Sequence, residues 1–220
     1  MISLNQVVKR YPGGYEALKH ISLEIAAGEI VCVTGPSGAG KSTLLKLLAA
    51  VEKPTSGSVV VSGQNVSRLR PRAIPYFRRN FGLIFQDQKL LFDRPVFDNV
   101  ALPLQIQGYE PREAAKRVRA ALDKVGLLAR EKAYPIALSG GEQQRLCIAR
   151  AIVHRPAILI ADEPTGNLDA EYAAALGALF RSFHLVGVTV IVATHDEQLA
   201  THLQPRHIRL AGGVVTEAVS

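Results

Sequence analysis

The 220 residues carry 26 Lys and Arg against 19 Asp and Glu, a formal net charge of +7, with 48% apolar side chains. A chain of this length builds one domain, or one domain with a sub-domain, around a sizeable core. Three classes are excluded. No apolar run reaches the roughly 18–20 residues of a bilayer span. The two cysteines, Cys32 and Cys147, make no disulfide or metal framework. Scattered cations without a tryptophan leave no stacking platform for nucleic acid, so no nucleic-acid partner is expected.

Asn5, Gln6, Lys9 and Arg10 interrupt the N-terminus, so no signal stretch is present and a soluble, cytosolic protein is expected. Ile2–Val8 and Ile21–Ile25 read as short strands, joined through the turn-rich Tyr11-Pro12-Gly13-Gly14-Tyr15. Tyr11 offers a ring able to stack on a purine. The apolar run Ile30–Val33 is a buried strand, and the segment from Thr43 to Ala49 is a helix. Between them lies Gly35-Pro36-Ser37-Gly38-Ala39-Gly40-Lys41-Ser42, a glycine-rich loop joining strand to helix. That is the setting of a phosphate-binding loop: backbone N–H groups curl around an anion, and the helix adds its positive end. Lys41 supplies charge to β- and γ-phosphates, and the Ser42 hydroxyl suits Mg²⁺.

Pro54-Thr55-Ser56-Gly57 breaks the chain, Val59–Val61 is a strand, and a further buried strand ends at Gln86. A glutamine at a strand end can place its carbonyl on Mg²⁺ and its amide near a water. Arg68, Arg70, Arg72, Arg78 and Arg79 form the densest basic run, expected as a solvated face or as a mark of proximity to a membrane surface. From Asp87 to Leu138 the pattern turns helical, over Val96–Gln107 and Pro111–Val125. Ser139, Gly140, Gly141 and Glu142 then open a helix. Ser139 and Glu142 have capping-box spacing, and the same helix start is a second anion-binding end. Two chains placed head to tail could each lend this end to the other's nucleotide.

Ile158–Ala161 is a buried strand ending in Asp162 and Glu163, and Thr189–Thr194 is another ending at His195. Acids and a histidine at the tips of parallel strands face the ligand crevice. Asp162 can hold Mg²⁺ through water, Glu163 can polarise an attacking water, and His195 can donate to a γ-phosphate. A helix is expected over Glu171–Val186, and small strands over Ile208–Leu210 and Val214–Thr216. With only a short stretch after His195, no separate regulatory domain is expected.

The order of phosphate loop, Gln86, Ser139-Gly140-Gly141-Glu142-Gln143, Asp162-Glu163, Asp169 and His195 resembles the ATP-binding-cassette ATPases over nearly the whole chain. The Leu138-Ser139-Gly140-Gly141 element is the specific part. The resemblance implies an α/β fold: a P-loop NTPase core with a mostly parallel sheet (1–86 and 156–220), an antiparallel β sub-domain, and an inserted helical sub-domain (87–155). It implies ATP and Mg²⁺. Tyr11 would stack on adenine, and Gly35, Pro36, Ser37, Gly38, Ala39, Gly40, Lys41, Ser42 and Thr43 would bind phosphates. Ser42, Gln86 and Asp162 would serve Mg²⁺, Glu163 would be the general base, and His195 would sense the γ-phosphate. Ser139, Gly140, Gly141 and Glu142 would reach the ATP of a partner subunit in an ATP-dependent homodimer, with Asp169 at the interface. Glu142 stands where the commonest signature has Gln, a variant shared by many members.

The stretch from Gly82 to Ala101 and Leu122-Asp123-Lys124-Val125-Gly126-Leu127 look like the cell-division members of that family. Asp87 and Asp93-Arg94 favour these over lipoprotein-releasing and macrolide-exporting members. This implies a separately encoded four-span membrane subunit resembling FtsX, further proteins of the division machinery, a place at the cytoplasmic face of the inner membrane, and control of septal peptidoglycan hydrolysis. A DNA-associated ABC ATPase fits poorly, because the segment between Gln86 and Ser139 is too short for a heptad-repeat arm.

Overall fold

A computed structural model of the chain describes residues 1–165 and 170–219. Its elements are β1 (Ile2–Arg10), β2 (Glu16–Ile25), β3 (Ile30–Thr34), α1 (Lys41–Leu48), β4 (Ser56–Val61), β5 (Gln64–Asn65), α2 (Ile74–Arg78) and β6 (Phe81–Ile84), then α3 (Val96–Ile106), α4 (Pro111–Lys124) and α5 (Gly140–Ile152). After these come β7 (Ile158–Asp162), α6 (Ala170–His184), β8 (Thr189–Ala193), α7 (Glu197–Leu203), β9 (Arg206–Ala211) and β10 (Val214–Val219). None of these helices is long and apolar enough to cross a membrane.

The strands form two sheets. An antiparallel sheet has the order β2-β1-β4-β5, and the central sheet has the order β10-β9-β3-β8-β7-β6. From β9 to β6 the central sheet is parallel, with β10 added antiparallel at the edge. All residues of β7 and β8, and all of β3 but Thr34, are buried. This is why their sequences read as unbroken apolar runs: a parallel strand covered on both faces has no solvent side to alternate with.

Side-chain alternation along those strands separates two cores. Leu159 and Ala161 of β7 join the core shared with α3, α4, α5 and α6. Ile158 and Ile160 join the opposite one, with α1 and the antiparallel sheet. The helical segment therefore shares a continuous core with one face of the central sheet. In α4, Ala114, Val118, Ala121 and Leu122 make the buried stripe, and the Glu110 carboxylate caps the start by accepting from Arg112 and Glu113 N–H groups.

Both cysteines are buried and free. Desolvation pushes the Cys32 thiol, in β3, up to about 12, and that of Cys147, in α5, up to about 11. Of the basic run, Arg78 donates to the Ala49 and Ala50 carbonyls at the end of α1, and Arg79 lies over the Tyr76 ring. These two arginines have structural work, while Arg68, Arg70 and Arg72 are exposed.

Asn99, at zero exposure in α3, ties down the chain that follows β6. Its Oδ1 accepts from the Leu91 N–H, and its Nδ2 donates to the carbonyls of Leu91, Arg94 and Pro95. Asn99→Ala leaves these backbone groups without that partner, at about 1–3 kcal/mol for each that stays unsatisfied. Urea denaturation is expected to show at least ~2 kcal/mol of lost stability; a variant within ~0.5 kcal/mol of the parent would show that water replaces the side chain.

Candidate nucleotide site and family

The parallel register brings four strand ends to one edge. Ile84 pairs with Ala161, Asp162 with Ala193, and Ala193 with Val33. The residues just past those pairs are Gln86, Glu163, His195 and the loop from Gly35. They line one cleft of about 490 Å³, together with Lys41, Ser42, Thr43 and Tyr15. Ligands of open parallel sheets bind beyond these carboxyl ends.

The loop is shaped by close backbone approach. A Cβ at Gly35 would lie 2.1 Å from the Leu210 carbonyl oxygen, and one at Gly40 would lie 2.5 Å from that of Ala17. Both glycines also have positive φ, 142° and 104°. Gly40 caps α1, so the helix start points into the cleft. The Lys41 ammonium donates to the Gly35 and Pro36 carbonyls at 2.7 and 3.2 Å, which curls the side chain back over the loop.

Glu163 sits between His195 and Lys41. Its Oε2 lies 2.9 Å from His195 Nδ1 and accepts from the His195 N–H at 3.3 Å. Its Oε1 lies 3.9 Å from Lys41 Nζ. Its backbone holds φ of 47°, with its N–H donated to the Ala193 carbonyl. A left-handed glutamate is uncommon, and such conformations gather at functional sites. Beyond His195, Asp196 caps α7 and donates its N–H to the buried Thr194 hydroxyl, which fixes the turn.

Asp162 is 8% exposed, and burial pushes its carboxyl upward against the opposing Ser42 hydroxyl bond. Its Oδ1 is buried without a hydrogen-bond partner. Tyr11 does not line the cleft. Its hydroxyl is 3.4 Å from Thr43 Oγ1 and its ring carries the Lys9 ammonium at 4.9 Å. Tyr15 does line it, donating to the Gly38 carbonyl at 3.0 Å.

Ser139, Gly140, Gly141 and Glu142 are not part of this cleft. They begin α5 in a complete capping box: Ser139 Oγ accepts from the Glu142 N–H, and the Glu142 carboxylate accepts from the Ser139 N–H at 2.8 Å. The Ser139 N–H, foremost, holds the Glu142 carboxyl below its usual range. A Cβ at Gly140 or Gly141 would meet nothing within 4 Å, and neither glycine has positive φ. The Asp169 position lies outside the described residues.

The family model described as ABC transporter matches residues 18–166. The chain belongs to the ABC transporter family. It is 51% identical over 213 residues to the cell division ATP-binding protein FtsE of Escherichia coli strain K12, covering 97% of this chain and 96% of that one. With FtsE of Bacillus subtilis strain 168 it shares 42% identity over 215 residues, covering 98% and 94%. Among solved structures it superposes on the dimeric bacterial ABC transporter cassette MJ0796 with a TM-score of 0.93 at 36% identity, covering 99% and 97%. A dimeric post-hydrolysis state of MJ0796, bound to ADP and Pi, gives 0.92 over the same shares. The expected fold class is thereby met, and this ABC cassette is an ATPase.

The oxygen donors here suit Mg²⁺. A hard, octahedral cation shared with substrate phosphates needs few protein ligands. Asp162, its Oδ1 buried without a hydrogen-bond partner and its carboxyl beside the Ser42 hydroxyl, presents such a ligand. No cluster of three or more His, Cys, Asp or Glu that could hold a metal is present among the described residues.

Sequence reasoning missed a strap between this cleft and α5. The Arg150 guanidinium donates to the carbonyls of Lys89 and Gln88 at 2.7 and 2.5 Å. The Cys147 thiol also reaches the Gln88 carbonyl, and Gln88 Nε2 donates to Gln144. Gln88 and Lys89 both have positive φ. Helix α5 thus grips the segment just after Gln86. Arg150→Ala is expected to lower turnover about 10–100-fold through misplacement of Gln86, with ATP affinity kept. Comparing kcat with the Kd for a fluorescent ATP analogue checks this; a matching loss in Kd would place the effect on binding instead.

Proposed function

We propose that this chain is the ATP-binding and hydrolysing subunit of a cell-division ABC system. It works as a head-to-tail dimer in which each nucleotide lies between the phosphate loop of one subunit and the signature helix of the other. The observation that carries the dimer is the pair Gly140 and Gly141. Their own fold has room for side chains there, so no contact within the chain accounts for two adjacent glycines, and close approach from outside the chain would. The separation of that element from the cleft supports the same reading.

In this reading Tyr11, outside the cleft lining but beside its residue Thr43, gives up the Lys9 contact and stacks on adenine, and residues 35–43 hold the phosphates through loop N–H groups and Lys41. Ser42, Gln86 and Asp162 hold Mg²⁺, which when bound neutralises charge on the β- and γ-phosphates. Glu163 orients a water and takes its proton. His195, bonded to Glu163, aligns that carboxylate and donates toward the γ-phosphate. Ser139, Gly140, Gly141 and Glu142 close the site from the partner, with Asp169 at the dimer interface.

The division of labour follows the same lines: residues 1–86 and 156–220 bind nucleotide, and 87–155 carry the signature and face the membrane subunit. That subunit resembles FtsX, places the cassette at the cytoplasmic face of the inner membrane, and relays ATP turnover to septal peptidoglycan hydrolysis with other division proteins. Exposed Tyr76 and Ile106, both touched by Arg79, give a surface for such a contact. Near-full-length identity to FtsE proteins supports the division role. Affinity purification from detergent-solubilised membranes tests it. A four-span partner with a periplasmic domain is expected, and depletion of the cassette should give filamentous cells. A partner that handles lipoproteins or macrolides would reassign the system.

A further inference from the structure

The geometry points to a second binding site: the groove between α4 and the α6–β8 turn docks an acidic, amphipathic segment of a partner protein. This inference is independent of the proposed ATPase roles. The groove encloses about 750 Å³, and its lining includes Ala157, Leu159 and Val188. These mark the entry ends of β7 and β8, opposite to the strand ends that carry the nucleotide cleft.

One wall is a stripe of α4. Glu113, Lys116, Arg117, Ala120 and Lys124 recur at helical spacing along it. From 113 to 124 that stripe runs about 16 Å at 1.5 Å per residue, the length of three turns of a docked helix. Ala120 is exposed at mid-groove, so the wall is lowest there. Ile152, Pro156, Leu159 and Val188 form an apolar floor, with Phe183 and Val186 opposite α4. Val186 stands at the lip, 76% exposed, and its chain neighbour Leu185 is 79% exposed.

Charge selects the occupant. Four cations line the groove, Lys116, Arg117, Lys124 and Arg155, against one carboxylate, Glu113. Glu113 is already paired with Arg117 at 2.9 Å. Lys124 lies over the Phe183 ring at 4.5 Å. Among the described residues, Lys116 and Arg155 side chains have neither ion pair nor hydrogen bond. An apolar floor under unpaired cations fits side chains of both kinds presented together, as an amphipathic acidic helix presents them.

Two other occupants fit less well. The carbonyl ends of α4, α5 and α6, at Lys124, Ile152 and His184, all come to this region. Their negative dipole ends oppose a compact phosphate, while spaced carboxylates can pair with cations along the rim. A bilayer cannot enter a recess of this shape, and only the lip residues would reach it.

A library of random 12-residue peptides displayed on phage, selected on the full chain and counter-selected on Ala120→Trp, tests the site. Recovered peptides are expected to carry Leu or Phe at three- and four-residue spacing with Asp or Glu between. Fluorescence anisotropy should show at least ten-fold weaker binding to Ala120→Trp and to a Lys116→Glu/Arg155→Glu double variant, both with parental ATP turnover and unfolding curves. No recovered peptide, peptides without acidic bias, or binding that ignores both variants would overturn the inference. Capture of phosphatidylglycerol vesicles that is lost in the double variant, without peptide binding, would also overturn it by assigning the cations to a lipid surface.

Discussion

Glu163→Gln is expected to hydrolyse ATP about 10²–10⁴-fold more slowly than the parent, the usual loss for a positioned proton acceptor, while binding ATP and accumulating as a dimer. The geometry makes this substitution informative. Both carboxylate oxygens are engaged, Oε2 by the ring and N–H of His195 and Oε1 at 3.9 Å from Lys41. Glutamine keeps the shape and can keep a contact to the imidazole, yet it cannot take a proton from water. Its backbone must hold the left-handed φ of 47°, and an unbranched residue of equal size changes that cost little. Phosphate release and light scattering with ATP are the paired measurements. Full turnover would remove Glu163 from its role. Slow turnover without dimer would detach hydrolysis from assembly.

The second large effect is on affinity. Lys41→Ala removes the ammonium that reaches the Gly35 and Pro36 carbonyls and stands within 3.9 Å of Glu163. A charge-assisted hydrogen bond to phosphate contributes about 1.5–3 kcal/mol, or roughly 10–150-fold in Kd for each one lost. Equilibrium binding of a fluorescent ATP analogue should weaken by at least that range, and no ATP-dependent dimer should form. Two compensations argue against a mere folding defect. The close approach of Gly35 and Gly40 to Leu210 and Ala17 shapes the loop independently of the lysine's two hydrogen bonds. The four buried leucines of α1 also remain. Unchanged ATP binding would reject the phosphate-loop assignment.

The features legible in sequence were those with a physical signature of their own. β3, β7 and β8 are short apolar runs because both faces are covered, and each run gives way to polar residues: Thr34, Asp162 and the pair Thr194-His195. Parallel pairing then dictates that those ends meet, so Glu163 and His195 could be placed in one crevice before any coordinates, while Gln86, which also lines it, joined the site only through the family resemblance. The bounds of α4 were also readable, from Pro111 at its start and Gly126 just past its end, whereas the capping carboxylate of Glu110 was not read and α6 stops at His184, two residues before the expected Val186. The start of β2 was not. Its first residues, Glu16 to His20, lack an apolar rhythm and become strand through pairing with β1, across register shifts that break the alternation. The seven residues of α7 were missed because one cap and one short stripe hold them. Tyr15 and Arg150 were invisible for a different reason: each acts on backbone carbonyls, and carbonyls leave no mark on a sequence.

The two sheltered thiols have a practical consequence. With desolvation holding Cys32 near 12 and Cys147 near 11, neither is a useful thiolate at neutral pH. A maleimide or a bifunctional reagent therefore sees only cysteines that are introduced. Pairs such as Ser37→Cys with Gly140→Cys can chart subunit geometry on the otherwise unaltered polypeptide, with no cysteine-free background to build first.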